Sequence, residues 1–212
     1  LSAFGSVFSR AWSISAIVEY DSEDSKGFFG NTFSLMNFVM VLICSMILIC
    51  NIPLAKILYA KDFFEAWHYT PFILFSVLLD TMTEFIGGVF TATRDTKAIS
   101  YTTIIGAVVN VGLSFLLIPI MGALGAAVAT LIGYSIVYGT RLILVRKYIH
   151  MKVSTKRIAT SYILLLVQLL VSELGLVSIP IQILIFVVLV VVQWPEAKKV
   201  TNLFKKVYRK LF

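Results

Sequence analysis

Charge is what this sequence has least of. Only 14% of its 212 residues are Asp, Glu, Lys or Arg, while 59% are hydrophobic; ordinary globular domains carry about 25% charged residues. So little charge cannot cover a water-facing surface, which excludes the one or two soluble domains that length alone would allow. Cysteine is nearly absent too: Cys44 and Cys50 lie six apart in one apolar run, make neither a CxxC nor a zinc pair, and read as small space-fillers. The two histidines, His68 and His150, stand alone in predicted loops and read as solvated. A Ser-His-Asp set, a metal cluster and a phosphate loop are all missing, so no enzyme, cofactor or metal centre is expected. The net charge of +7 comes without zinc-ligand spacing, an aromatic-basic RNA motif or a basic recognition helix, which removes nucleic acid as a partner. No basic n-region with a cleavage site precedes the first apolar run, so no signal peptide is visible. A chain starting at Leu1 without an initiator Met reads as a fragment.

Long uncharged runs take the place of that surface, among them residues 27 to 55 and 98 to 140. Runs beyond about 18 residues mark membrane spans. Hydropathy, charges and breakers predict six, at 33 to 58, 70 to 92, 98 to 118, 122 to 145, 157 to 173 and 177 to 194, and residues 1 to 20 read as the end of a further helix. The runs are continuously apolar rather than alternating, so the fold class is all-α: a polytopic membrane helix bundle, not a barrel. Pro71 suits a first helical turn, Pro119 with Gly122 suits a tight reversal, and Pro53 predicts a kink inside the first span.

The scarce basic residues are sorted. Lys26, Arg94 with Lys97, the 146 to 157 loop and the tail after Pro195 hold 14 Lys or Arg, whereas the alternate loops hold Lys61, with Lys56 in the adjoining helix end. By the positive-inside rule the first set is cytoplasmic, and 59 to 69 and the turns near 120 and 175 face outward. In the tail, residues 196–212, Val200, Leu203, Phe204, Val207 and Leu211 share one stripe among lysines and arginines. This reads either as an interfacial helix on anionic lipid or as a basic stop signal that only fixes topology.

Ionisable groups at membrane depth are the best functional candidates, because holding them there is costly. Asp80 lies ten residues, about 15 Å, into its span, with Glu84 one turn later. Ser76, Thr83, Gly87 and Thr91 extend that polar stripe. The pair can line a hydrated pathway that binds a proton or Na⁺, or serve as a protonated, hydrogen-bonded brace of the bundle. Arg10, at similar depth if residues 1 to 20 are helical, could clasp a phosphate bidentately, or pair with Asp80 or Glu84, or reflect only the cut end of the chain. Thr103, Gly106, Asn110 and Ser114 share a face read as helix packing, and Gly125, Ala129 and Gly133 make a close-approach face.

The stretch LLIPIMGALGAAVATLIGY, residues 116 to 134, resembles the polysaccharide repeat-unit flippases, the O-antigen and teichoic-acid exporter branch of the multidrug/oligosaccharidyl-lipid/polysaccharide exporter superfamily. Ile118, Pro119, Gly122, Gly125, Ala126, Ala127, Ala129 and Thr130 match the family's Ile-Pro turn, Gly, and Gly-Ala-Ala-x-Ala-Thr. Ala11 with Trp12, the acidic DSED loop, ILYAKDFFEAW at 57 to 67 and TATRDTKAISY at 91 to 101 look like family segments in the same order. Arg94 departs from it, standing where the family usually has Gly in a GKTK-like turn. The resemblance implies the second lobe of a two-lobe transporter at 1–150, an extra helical hairpin at 151–195 and a basic cytoplasmic tail at 196–212. It implies alternating-access movement of an undecaprenyl-pyrophosphate-linked oligosaccharide across a bacterial cytoplasmic membrane, with membrane lipid and a missing N-terminal lobe as partners. It supplies no shared catalytic residue. The alternatives are a multidrug or peptidoglycan-precursor exporter of the same superfamily, a polytopic enzyme of polysaccharide assembly, and a non-transporting scaffold.

Overall fold

The computed structural model describes residues 11–58, 61–175, 179–196 and 198. Arg10 and the tail stripe from Val200 onward lie outside the described residues. Helix α1 covers 11–18; it is followed by α2 (Phe28–Ile49), α3 (Asn51–Leu58), a 3₁₀ helix (Lys61–His68), α4 (Thr70–Ala92), α5 (Thr96–Met121), α6 (Ala123–Val145), α7 (Thr155–Ser172) and α8 (Ile179–Val192). Among the described residues five of these, α2, α4, α5, α6 and α7, are long and apolar enough to cross a membrane. The protein is an all-α, multi-pass membrane bundle.

Three boundaries differ from those the sequence predicts. The first predicted span is two helices: α2 ends at Ile49, Cys50 intervenes, and Pro53 sits in the first turn of α3 rather than inside a kinked span. A proline ring collides with the carbonyl four residues earlier, here that of Ile49, so the chain breaks just there. Pro119 lies inside the last turn of α5 and not in the reversal, which Gly122 makes alone at φ 58° and ψ −134°. The final span shortens to the 14 residues of α8, about 21 Å, less than the ~30 Å of a hydrocarbon core. The segment read as an outer loop is the 3₁₀ helix, held by Asn51 Nδ2 donating to the Trp67 carbonyl at 2.8 Å.

Helix α4 is the centre of the bundle. Its Leu78, Met82, Phe85, Ile86, Val89 and Phe90 are fully buried, meeting Phe29, Phe33 and Met40 of α2. Trp12 of α1 anchors to the same helix: its Nε1 donates to the Phe85 carbonyl at 2.8 Å and its ring stacks on Phe85 with centroids 4.0 Å apart. A Cβ on Gly88 would lie 2.4 Å from that indole nitrogen, so the indole fits only because residue 88 has no side chain. Helices α7 and α8 pack on each other and on α2. Ser45 and Gln168 bond twice across the α2–α7 seam, at 2.6 and 3.1 Å, the interhelical glue expected where lipid gives no hydrophobic driving force. Helix α5 leans almost entirely on α6, and of its residues only Thr102 and Gly106 are buried.

Among the described residues, the loops around 20–26, 94–97 and 146–157 meet at one end of the bundle. At the basic end, Tyr20 Oη donates to the Tyr148 carbonyl at 2.7 Å, the His150 amide to the Ser22 carbonyl at 2.9 Å, and the Tyr148 hydroxyl to Asp95. That last bond, with the Ala98 amide, holds the Asp95 carboxyl below its usual range. The buried Asp24 carboxylate accepts from the Phe29 and Gly30 amides at 3.0 and 2.8 Å and caps α2. At the opposite end His68 is not merely solvated: its Nδ1 lies 2.6 Å from Glu173 Oε2, and its ring lies against Trp67.

Arg94 adopts φ 59°, the left-handed region that favours glycine, in the turn where the resembling family usually has Gly. Left-handed geometry costs a side-chain-bearing residue about 1–2 kcal/mol, partly offset in glycine by its greater unfolded freedom. We expect Arg94→Gly to leave the turn intact and to raise stability by up to about 1 kcal/mol, read by thermal melting of the purified protein; destabilisation would mean that the guanidinium makes a compensating contact.

Candidate functional site

Asp80 and Glu84 are carried by α4, whose inner apolar stripe fixes its rotation, and both line a cavity of about 240 Å³ between α4, α5 and α6. Helix α5 contributes Thr103, Gly106 and Asn110 to its wall, and α6 contributes Gly133, Tyr134 and Arg141. The stripe predicted on α5 is thus more than packing. Gly106 does pack against α6, but Thr103 and Asn110 face the cavity, and Ser114 bonds the Asn110 side chain at 3.2 Å. Ser76 and Thr91, read as extensions of the acidic stripe, turn their hydroxyls back onto the carbonyls of Phe72 and Gly87 in their own helix.

Arg141 dominates the site. It is 2% exposed and, among the described residues, the largest of the fully buried side chains. It lies four residues, about 6 Å, before the end of α6. Its guanidinium reaches inward and donates along three directions: Nε to Thr102 Oγ1 at 3.1 Å, Nη1 to the Thr83 carbonyl at 2.9 Å and Nη2 to Thr103 Oγ1 at 3.0 Å. One side chain thereby ties α6 to both α4 and α5. Gly87 makes room for it, since a Cβ there would lie 3.1 Å from Nη1. Asp80 and Glu84 are near enough to act on the guanidinium electrostatically. The Thr83 hydroxyl is buried with no hydrogen-bond partner among the described residues, leaving it available to whatever fills the cavity.

The predicted candidates thus divide. Asp80 and Glu84 stand together in the cavity, and Arg10 lies outside the described residues. Arg141, the cation found beside them, belongs to neither loop set; its signal in the sequence is an arginine followed by Leu-Ile-Leu-Val inside a predicted span. Of the small-residue motif, Gly133 and Gly106 meet at the α5–α6 crossing, and Gly125 abuts the Leu117 carbonyl across the turn. Ala129 is buried, and Pro119 and Ala126 line a shallow groove toward the end opposite the basic loops. Among the described residues no cluster of His, Cys, Asp and Glu is placed to hold a metal ion.

Residues 25–116 match the MatE family model, a region that includes Asp80, Glu84, Thr102 and Thr103 but ends before Arg141. No curated protein and no solved structure matches the chain significantly.

Proposed function

We propose, from the premise that a chain carrying a MatE segment is a membrane transporter of the multidrug/oligosaccharidyl-lipid/polysaccharide exporter superfamily, that this one moves undecaprenyl-pyrophosphate-linked oligosaccharide repeat units across a bacterial cytoplasmic membrane. It works by alternating access, as one lobe beside an N-terminal lobe of the same protein, with its basic end cytoplasmic. The substrate rests on the ordered motifs from Trp12 to Thr130. The mechanism rests on one observation: a buried guanidinium that holds three helices together beside two carboxylates in a cavity.

Arg141 with ionised Asp80 and Glu84 carries one net negative charge. In a poorly hydrated cavity that imbalance is costly, and one proton or one monovalent cation removes it. Loading changes the electrostatic balance around Arg141 and hence its grip on α4 and α5, which is a route from ion binding to helix movement. One elementary charge moved through 100 mV supplies about 2.3 kcal/mol, roughly a 50-fold bias.

Two measurements test this reading. Deleting the full-length gene should make undecaprenyl-linked repeat units accumulate in the inner leaflet, and normal surface polysaccharide in the deletion strain would overturn the substrate assignment. Complementation with the Asp80→Asn, Glu84→Gln double variant should transport slowly and without response to pH or Na⁺. A wild-type rate across both series would remove the coupling role.

A further inference from the structure

A second cavity lies away from this cluster, at the basic end. Between α6, α7, the loop joining them and α2 lies a wedge of about 490 Å³, within the size range of ligand sites. Its lining is mostly apolar: the part-exposed Leu142 of α6 and Ile158 of α7, with the buried Phe33 of α2 and Val145 of α6 behind them. Tyr138, one turn before Leu142 on α6, also lines it and accepts a hydrogen bond from the Tyr162 hydroxyl at 3.3 Å. Its rim is different in kind. Arg146 and His150 line the mouth, and the segment from Arg146 to Arg157 also carries Lys147, Lys152 and Lys156 with no Asp or Glu among them. Acids offset part of this charge, since Glu23 lies 3.9 Å from His150 Nδ1 and Glu196 pairs with Arg157 at 2.7 Å, but among the described residues no ion pair engages Arg146, Lys147, Lys152 or Lys156.

An apolar slot opening under a basic rim at the membrane surface matches one chemistry, an acyl chain beneath an anionic headgroup. We propose that this wedge binds a resident anionic phospholipid, its acyl chain against Leu142 and Ile158 and its phosphate against Arg146 and His150. With the basic end cytoplasmic, the lipid comes from the inner leaflet, whose own anionic lipids supply it. The site is separate from the Arg141 cluster, and a lipid seated there wedges α6 against α7 at the end where Arg141 is rooted.

The test uses the purified full-length transporter, delipidated in detergent and melted with added phosphatidylglycerol, phosphatidylcholine or glycerol phosphate. Phosphatidylglycerol should raise the melting temperature by about 3 °C or more, phosphatidylcholine by clearly less and glycerol phosphate not at all. An Arg146→Gln, His150→Gln double variant should lose the preference, with phosphatidylglycerol bound about fivefold or more weakly. Lys156→Gln, outside the wedge lining, should keep it. Leu142→Trp, which fills the slot, should abolish the response to both lipids. Equal responses to the two lipids, a preference retained in the double variant or lost equally in Lys156→Gln, or a response to glycerol phosphate matching that to phosphatidylglycerol would each overturn the site. If Leu142→Trp fails to fold, the two exposed-residue variants decide the matter.

Discussion

On the function proposed above, replacing Arg141 by Met in the whole protein should lower the transport rate per molecule by about 100-fold or more. Three nitrogens of one guanidinium satisfy groups on two neighbouring helices, and hydrogen bonds from a charged donor contribute about 1.5–3 kcal/mol each. Losing even one such contribution from the coupled state corresponds to roughly 10- to 150-fold. Met keeps much of the side-chain volume, so the cavity does not collapse, but Asp80 and Glu84 then face each other without their cation. Arg141→Lys should not rescue: an ammonium is a single point of charge and cannot span the Thr83 carbonyl and both threonine hydroxyls as a planar fork does. Loss of fold and loss of coupling separate in a third variant. Arg141→Met with Asp80→Asn removes one charge of each sign, and should recover thermal stability and membrane level while transport stays low. The measurements are flipping at matched membrane abundance and melting of the purified proteins. Wild-type flipping in either Arg141→Met or Arg141→Lys would show that the guanidinium is only a brace.

How far this site could be read without coordinates follows from where each signal lives. Asp80 and Glu84 were legible because a spacing of four puts two carboxylates on one helix face whatever surrounds them. Arg141 was not, because a basic residue within a turn or so of a helix end normally belongs to the loop beyond it. Only the position of α5, which puts Thr102 and Thr103 against it, turns the side chain inward. The spans were legible for the opposite reason: continuously apolar runs of this length resolve in lipid as helices, whatever their neighbours. Helix ends were less so, because proline and glycine punctuate alike in sequence and differ in space. Pro119 stands inside the last turn of α5, where it cannot donate to the Phe115 carbonyl, and the helix ends two residues later. The reversal needs the positive φ that Gly122 adopts. Arg94 takes a similar φ without being glycine, so the turn at 93–95 is set by its surroundings, including the Asp95 cap on α5.

The second large effect should come from a residue with no chemistry. Gly106 lets α5 lie against α6: a Cβ there would stand 2.1 Å from Val137 Cγ2 and 3.2 Å from the Gly133 carbonyl. Even Gly106→Ala must move something, and overpacking of this kind costs about 1–3 kcal/mol. Gly106→Leu cannot be absorbed by a side-chain adjustment; it pushes α5 outward and takes Thr102 and Thr103 with it, one helical turn from the crossing. Loss of stability and loss of transport should therefore arrive together, unlike the Arg141→Met, Asp80→Asn pair, which divides them. The source of the clash gives a sharper test. The closest atom is a side-chain methyl, so Val137→Ala should restore most of the stability lost in Gly106→Ala, a coupling that a double-mutant cycle measures directly. Gly112 and Gly139 supply the control, since a Cβ at either position meets nothing within 4 Å. Gly112→Ala and Gly139→Ala should be neutral or stabilising by up to about 1 kcal/mol through helix propensity alone. If Gly106→Ala melts like Gly112→Ala, the two helices are not held at that point, and the threonine shelf under Arg141 owes its position to something other than their close approach.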